Sequence, residues 1–218
     1  MGAQQRVNWT ILVGLAMVLG ILACLIVLLK QDATPERASE GLPVIGPVAD
    51  FALTNQNSRS VSLADLKGRV WVADIIFTRC AGPCPEMTRK MQELQAALSP
   101  DSEARLITLT TDADHDTPEV LQRYAEQYEA DVDRWAFLTG DKVAIANLAI
   151  DSLKLTAIEK PPEERTDPND LFVHSTIFVV VDKEGRLRGS FESVGDDVRW
   201  PEAKQAILDA VETLENES

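Results

Sequence analysis

The sequence predicts an α/β domain with a central mixed sheet and helices on both faces, preceded by one transmembrane helix. Two observations predict the domain: apolar, β-branched runs alternate with segments of helical spacing from about residue 48 onward, and the last strands read as a β-hairpin. A third predicts the membrane helix, because residues 9–29 contain no charged side chain.

The uncharged stretch is long enough to cross a bilayer. At about 1.5 Å per residue it spans roughly 30 Å, with Trp9 at one interface and Lys30 at the other. Arg6 precedes the span and acidic residues follow Lys30, so the positive-inside rule favours a cytoplasmic N-terminus. We therefore expect a single-pass membrane protein with its main domain outside the cytoplasm. In a bacterium this corresponds to the inner membrane, with the domain in the periplasm or outside the cell.

Two other fates of this segment compete with an uncleaved anchor. One is a cleaved signal peptide, and the other is a lipoprotein signal processed at Cys24 in Ile21-Leu22-Ala23-Cys24. Five further apolar residues follow Cys24, where a lipoprotein normally becomes polar, so the anchor is the preferred interpretation. The predicted organisation is a short N-terminal segment (1–8), an anchor (9–30), a polar, proline-containing linker (31–46) and the domain (47–218).

The charge of the chain excludes one class of partner. Two of its 21 basic residues and none of its 35 acidic residues lie in the first thirty positions, which leaves the remainder with a net charge of −16. A domain this acidic does not bind nucleic acid, whose phosphates need basic side chains. A basic or cationic partner surface would suit it better.

The first half of the domain begins with a predicted hairpin, made of strands at 48–54 and 61–63. A short helical turn closed by Gly68 follows. Residues 70–77 are almost wholly apolar and suit a strand buried on both faces. Met87, Met91 and Leu94 then recur at helical spacing to about residue 98.

The second half repeats the alternation of strand and helix. Residues 104–111 alternate as a second core strand, and Asp116 and Glu119 have the spacing of a capping box at the start of a helix. The later predicted elements are an edge strand at 135–138, a helix at 141–155, a long polar loop or small hairpin at 156–170, strands at 171–181 and 186–192, and an amphipathic helix at 201–214.

The chemistry centres on Cys80 and Cys84, at the junction between the buried strand and the next helix. Unpaired amide groups at a helix N-terminus stabilise anions, so at least one thiol should ionise readily. The helix either includes Cys80 already or begins at Cys84, in which case the turn between them folds Cys80 back. Either way the pair could close a disulfide or bind a soft metal ion, although C-x-x-C oxidoreductases have one residue fewer between their cysteines.

His174, one of two histidines in the chain, directly follows the long loop. It is either a core or edge histidine bonded to a backbone carbonyl, or a third ligand beside Cys80 and Cys84. Two thiolates and one imidazole suit copper, as Cu(I) or Cu(II), whereas structural zinc normally has four protein ligands. The other histidine, His115, is interpreted as a surface residue.

Two sets of acidic residues also need an explanation. Asp74 lies inside the buried strand and must be hydrogen-bonded or protonated. The favoured role is to stabilise a loop or turn near the thiols, and the alternative is to tune the protonation of a thiol. Asp112, Asp114 and Asp116 are better explained by turns and capping than by a hard cation.

Three segments together resemble the Sco/SenC family: Trp71-Val-Ala-Asp-Ile-Ile-Phe-Thr-Arg-Cys80-Ala-Gly-Pro-Cys84-Pro, the loop from Thr111-Asp112 to Pro118, and Val173-His174-Ser with its strand and Asp-x-x-Gly turn. The resemblance covers about residues 42–215. It implies a thioredoxin-like, three-layer fold on a membrane anchor, and a copper site formed by Cys80, Cys84 and His174. Ala81 and Ala113 stand where the family pattern often has proline, and Asp112 matches a family motif and is a candidate outer-shell residue.

The resemblance also implies a role in assembling the binuclear copper site of cytochrome c oxidase. We expect a copper metallochaperone whose partner is the copper-site subunit of that oxidase, with an upstream copper donor or thiol reductant. The alternative is a thiol-disulfide oxidoreductase that uses Cys80 and Cys84 as a redox-active pair on the oxidase cysteines or on another extracytoplasmic protein. Whether the chain is an enzyme is left open. A peroxidase is disfavoured, because the residues before Cys80 lack the expected pattern.

Overall fold

The structure is a computed structural model that describes residues 41–217, together with Met17 and Gly20. The predicted N-terminal segment, the anchor apart from those two positions, Cys24 and most of the linker lie outside the described residues. Within the part that is described, no helix is both long enough and apolar enough to cross a membrane.

Ten strands and five α-helices make up the described part of the chain. The strands are β1 (Gly46–Pro47), β2 (Ala52–Asn55), β3 (Ser60–Ser62), β4 (Trp71–Ile76), β5 (Arg105–Thr110), β6 (Trp135–Thr139), β7 (Ala157–Glu159), β8 (Phe172–His174), β9 (Ile177–Val181) and β10 (Arg186–Glu192). The helices are α1 (Leu63–Leu66), α2 (Cys84–Ala97), α3 (Pro118–Gln127), α4 (Lys142–Ala146) and α5 (Trp200–Asn216). A π-helix (Asn147–Ser152) continues α4, and a 3-10 turn (Pro162–Glu164) lies between β7 and β8.

Eight strands form one mixed sheet in the order β1-β10-β9-β4-β5-β6-β2-β3. Strands β4, β5 and β6 are parallel, and β9 runs antiparallel to β4 on its other side. The two remaining strands, β7 and β8, form a separate antiparallel sheet. The carboxyl end of the central strand β4 therefore leads directly to the cysteines.

Strand β4 is buried along its whole length because both faces of the sheet are covered. Alternate side chains such as Val72 and Ile76 pack with α2, α3 and α5, whereas Trp71 and Ile75 pack with α1 and α4. Each fully buried large apolar side chain contributes about 1.5–3 kcal/mol relative to exposure, so β4 anchors two cores at once. The predicted helices on both faces of a mixed sheet are thus present.

Several predicted details differ from the structure. The strand predicted at 135–138 is not at an edge, because β2 pairs with its carboxyl end at Leu138 and Thr139. The helix α3 is capped by Thr117, whose hydroxyl accepts from the Val120 amide at 3.4 Å, and not by Asp116. Asp116 is fully buried and is bonded elsewhere.

The predicted strand 171–181 is also divided in two. Strand β8 pairs with β7 in the small sheet, and the chain then crosses at Ser175 and Thr176 to join the main sheet as β9. The apolar run continues through the break, so its periodicity alone does not show the change of partner. This break places His174 at the end of one sheet and beside the start of another.

Candidate metal centre

The two cysteines occupy different kinds of position. Cys80 lies in the loop after β4, and Cys84 is the first residue of α2, so the helix begins at the later of the two predicted positions. The Cys80 amide donates to the Phe77 carbonyl at 3.2 Å, and the Gly82 amide donates to the Cys80 sulfur at 3.3 Å. These bonds fold Cys80 back toward the helix N-terminus.

His174 completes a group of three potential ligands. Its Nε2 atom lies 3.1 Å from the sulfur of Cys84 and 3.9 Å from the sulfur of Cys80. Its Nδ1 atom lies 3.1 Å from the carbonyl oxygen of Ser175. Because a carbonyl can only accept, Nδ1 donates to it, and this bond orients the ring so that Nε2 faces the two sulfurs.

Burial differs across this group. The side chain of Cys84 is buried, whereas Cys80 is partly exposed. The ring of Phe77 stands edge-on to the imidazole at a centroid distance of 5.8 Å and edge-on to Phe172 at 5.2 Å. The aromatic pair therefore forms an apolar wall beside His174, and Cys80 and His174 are the two partly exposed members of the group.

The thiols have opposite shifts in pKa. Hydrogen bonding from the Cys84 thiol, with smaller contributions from His174 and the Gly82 amide, outweighs partial burial and lowers the pKa of Cys80 to about 4. Burial, followed by the hydrogen bond and negative charge of Cys80, raises the pKa of Cys84. Without metal the pair therefore consists of a Cys80 thiolate and a neutral Cys84 thiol.

This donor set can bind a soft metal ion. The ligand atoms of Cys80, Cys84 and His174 all lie within 4.8 Å of one another. Thiolate sulfur favours Cu(I), and imidazole supports both oxidation states of copper. The geometry brings together the three residues that sequence analysis singled out for copper.

Asp74 lies in β4, on the α2 side of the sheet, and is fully buried. Neither of its carboxylate oxygens has a hydrogen-bond partner among the described residues, although the Thr108 hydroxyl lies nearby. Burial raises its pKa to about 7, opposed in part by the neighbouring Thr108 hydroxyl and by His174. Its negative charge also raises the pKa of Cys84, by less than burial and Cys80 do.

Asp112 acts on the loop before Cys80 and makes no hydrogen bond to either sulfur. One of its carboxylate oxygens accepts from Nε and Nη2 of Arg79, at 3.1 and 2.5 Å. Its backbone amide donates to the Thr110 hydroxyl at 3.0 Å. Asp112 thereby ties the residue that precedes Cys80 to the end of the neighbouring strand β5.

Sequence analysis missed the role of Asp116 in this loop. Its carboxylate accepts from the amide of Thr78 at 3.1 Å, from the Thr78 hydroxyl at 2.5 Å and from the Thr110 hydroxyl at 2.5 Å. His115 Nδ1 lies a further 3.0 Å from it. The sequence contained a signal for this contact. Adjacent parallel strands end at the same edge of the sheet, so the segment after β5 must lie beside the segment after β4.

Asp112, His115 and Asp116 also form a cluster with metal-ligand spacing. Their hydrogen bonds account for them without a cation, because Arg79 engages Asp112 and two threonines engage Asp116. Asp114 pairs at the surface with Lys142. The loop from 112 to 116 is thus a support for the dithiol loop.

A family model described as SCO1/SenC matches residues 45–207 of the chain. The chain belongs to the SCO1/SenC family. Among curated proteins, the SCO1 protein homolog of Bacillus subtilis is 36% identical over 154 residues, which cover 70% of this chain and 77% of the relative. The resemblance drawn from the three sequence segments is therefore confirmed.

Two solved structures of Sco proteins are similar to the chain. One is BsSco, described as having a disulfide switch and as a member of the Sco family of cytochrome c oxidase assembly proteins; it is 30% identical, with a TM-score of 0.67 and coverage of 82% of this chain and all of the other. Another is copper-bound ScoI of Bradyrhizobium japonicum, at 26% identity, a TM-score of 0.61 and coverage of 76% and 98%. The expected thioredoxin-like α/β fold with a mixed sheet is confirmed.

Proposed function

We propose that the chain is a copper-binding assembly factor that holds copper through Cys80, Cys84 and His174 and delivers it to the copper-site subunit of cytochrome c oxidase. The orientation of His174 carries the proposal, since Nε2 faces both sulfurs while Nδ1 is committed to a carbonyl. A dithiol that only exchanged disulfides would not need this imidazole. Membership of a family that includes copper-bound and oxidase-assembly proteins supports the same conclusion.

Copper loading requires a change in protonation at Cys84. Cys80 already offers a thiolate at neutral pH, whereas Cys84 must lose its proton to become a second anionic ligand. Protonation of Asp74 would remove one of the charges that oppose ionisation of Cys84. We therefore assign Asp74 the role of tuning the second thiol, and Asp112 that of positioning the loop before Cys80.

Copper release would begin at the solvent side. Cys80 is the more exposed of the two cysteines, so ligands of an acceptor can approach its sulfur before that of Cys84. The acceptor's ligands would then replace Cys80, Cys84 and His174 one at a time. The thiolates recover protons as they are freed, and the oxidation state of the ion does not change.

A second function has its own supporting observation. The acidic, partly exposed Cys80 and the buried, neutral Cys84 are arranged like an attacking and a resolving thiol. In a reductase, the Cys80 thiolate would attack a disulfide of the acceptor and Cys84 would displace it, leaving a reduced acceptor and a Cys80–Cys84 disulfide. Copper loads only onto the reduced pair, so the two activities can serve one target.

We further propose the predicted topology, with residues 9–30 as the anchor and the domain outside the cytoplasm. This places the site in the compartment where an oxidase copper site facing the periplasm would be assembled. A reporter that functions only in the periplasm, fused after Ser218, should be active. Activity confined to a cytoplasmic reporter would overturn the topology.

The copper site is tested by anaerobic titration of the reduced full-length chain in detergent with Cu(I). We expect one tightly bound equivalent, loss of tight binding in Cys80→Ala and Cys84→Ala, and an affinity lower by on the order of tenfold or more in His174→Ala. His115→Ala is the matched control, because the chain has two histidines and this one lies in the supporting loop. Wild-type affinity in His174→Ala, or no retained copper with a readily cycled disulfide, would favour the reductase.

A further inference from the structure

Strands β7 and β8, with the connection between them, form a two-stranded ribbon with two different faces. Phe172 and His174 face inward on β8, where Phe172 packs beside Phe77 and the imidazole meets the cysteines. Val173 lies between them and points the other way. The strand that supplies the proposed histidine ligand therefore has its reverse side on the surface.

The outward face of the ribbon is apolar at its centre. Val173 pairs directly with Ile158 across the two strands, and these side chains are 47% and 58% exposed. No described element packs over them. This exposed cross-strand pair of β-branched residues forms a small apolar patch that suits contact with another protein.

The connection between the strands, which leaves the ribbon at the Glu159–Phe172 pair next to Ile158 and Val173, is acidic. Its two cations are already engaged, Lys160 with Asp170 at 2.6 Å and Arg165 with Glu159 at 3.1 Å. Three further acids are exposed and have no ion-pair partner among the described residues; they are Glu163, Glu164 and Asp167. The end of the ribbon that borders the pair is thus acidic, which suits a basic protein and disfavours an anionic membrane.

The ribbon is tied to the rest of the domain at its base and through Leu171 and Phe172, which pack against the core. Its base is closed by the Ser175 amide, which donates to the Thr156 carbonyl at 3.1 Å, and by the Thr156 amide, which donates to the Ser175 hydroxyl at 2.6 Å. A two-stranded ribbon has little stability of its own, so contact on its outer face can shift it. Such a shift moves His174, because Val173 is its neighbour on the same strand.

We propose that the outer face of this ribbon, centred on Ile158 and Val173 and bordered at one end by Glu163, Glu164 and Asp167, is the docking surface for the protein that accepts the copper. That partner presents an apolar centre beside Lys and Arg side chains. Docking places its ligands at the mouth of the site and loosens the imidazole on the reverse of the same strand. This inference rests on the proposed delivery of copper and identifies where the acceptor binds.

The test measures copper transfer from the Cu(I)-loaded full-length chain, in detergent, to the reduced apo copper-binding subunit of cytochrome oxidase from the same organism. The variant is Ile158→Ser with Val173→Ser, and the control is Val132→Ser, a residue 62% exposed on the turn before β6, at the opposite end of the parallel strands. We expect Cu(I) affinity within twofold of wild type in both, with the transfer rate at least tenfold lower in the double variant alone.

A second arm tests the acidic end of the ribbon. Glu163→Gln, Glu164→Gln and Asp167→Asn together should slow transfer and flatten its dependence on salt. The matched control changes two other exposed Glu and one exposed Asp, Glu126→Gln, Glu129→Gln and Asp133→Asn, beside Val132. It should keep the wild-type dependence on salt.

The outcomes separate this inference from the proposed function. Normal transfer by the double ribbon variant, or equal effects of the two charge variants, overturns the docking surface and leaves copper delivery intact. A fall in copper affinity as large as the fall in transfer rate also overturns it, because the substitutions would then slow transfer only by weakening the copper site. A wild-type chain that binds copper but transfers none to this subunit overturns both.

Discussion

Asp116 reaches from the loop after β5 to accept two hydrogen bonds from Thr78, one from its amide at 3.1 Å and one from its hydroxyl at 2.5 Å. Thr78 lies two residues before Cys80, so a fully buried carboxylate holds the loop that carries the proposed copper ligand. The position of one sulfur thus depends on a residue 38 positions after Thr78 in the chain.

The Asp116→Asn substitution should therefore destabilise the protein and loosen the dithiol loop. An amide retains the shape but has one acceptor oxygen and presents N–H groups to the threonine donors. We expect a loss of about 2–4 kcal/mol in the free energy of unfolding, measured by urea denaturation, because buried charge-assisted hydrogen bonds are lost.

Asp114→Asn is the control for that measurement, because its carboxylate is 78% exposed and pairs only with Lys142 at the surface. A change within about 0.5 kcal/mol is expected there. Equal effects of the two substitutions would contradict a special role for Asp116.

Alkylation of the reduced protein should select Cys80. Its pKa of about 4 leaves it as a thiolate at neutral pH, whereas Cys84 stays protonated. The iodoacetamide rate should form a plateau at neutral pH and fall as the pH drops through about 4, with mass spectrometry locating the label.

The Cys84→Ala substitution removes the main hydrogen bond to the Cys80 sulfur, so the pKa of Cys80 should rise toward its ordinary value of about 8.5. Labelling of both cysteines at similar rates, or an unchanged titration in this variant, would show that the pair is not arranged as described.

Asp74 should make stability fall as the pH rises from about 4 to 7. Burial raises the pKa of Asp74 in the folded chain to about 7. Between about pH 4 and pH 7 the folded chain therefore keeps a proton that the unfolded chain has lost. The resulting loss of stability is complete above pH 7. Asp74→Asn should remove this dependence and gain on the order of 2–4 kcal/mol at pH 8.

Denaturation curves of Asp74→Asn and wild type at several pH values test this expectation. The exposed Asp197→Asn serves as the control and should leave the pH dependence unchanged. Parallel stability curves for Asp74→Asn and wild type would mean that the carboxyl is not protonated in the fold.

Arg188 should be important for stability at acid pH. Burial alone would raise the pKa of Asp182, but hydrogen bonds from Arg188 at 2.8 Å and from Arg186 outweigh it and lower that pKa. The resulting stabilisation is present above the unfolded pKa of about 3.9 and is lost as the pH falls through the lower folded value.

Arg188→Met leaves Asp182 buried with one cation fewer, so we expect a loss of about 3 kcal/mol at pH 7 and an acid transition at higher pH. Arg199→Met is the control, because its pair with Glu202 is exposed and is worth less than about 1 kcal/mol. Thermal unfolding between pH 3 and 7 checks both expectations.

Local patterns in the chain were enough to predict the alternation of strands and helices, the doubly buried strand β4 and the position of Cys80 and Cys84 at its carboxyl end. These features follow from periodicity and from helix-start chemistry, which act over a few residues. The same three segments that contain the cysteines and His174 also identified the family.

Long-range packing decided the remaining features. His174 meets Cys84 across 90 residues only because the chain leaves the small sheet at Ser175 and enters the main one beside β4. Asp116 does not cap the helix as predicted but accepts hydrogen bonds from Thr78. The strand at 135–139 is internal because β2 pairs with it on the side away from β5. Periodicity reports whether a side chain is buried, whereas the order of strands in a sheet determines which distant residue it meets.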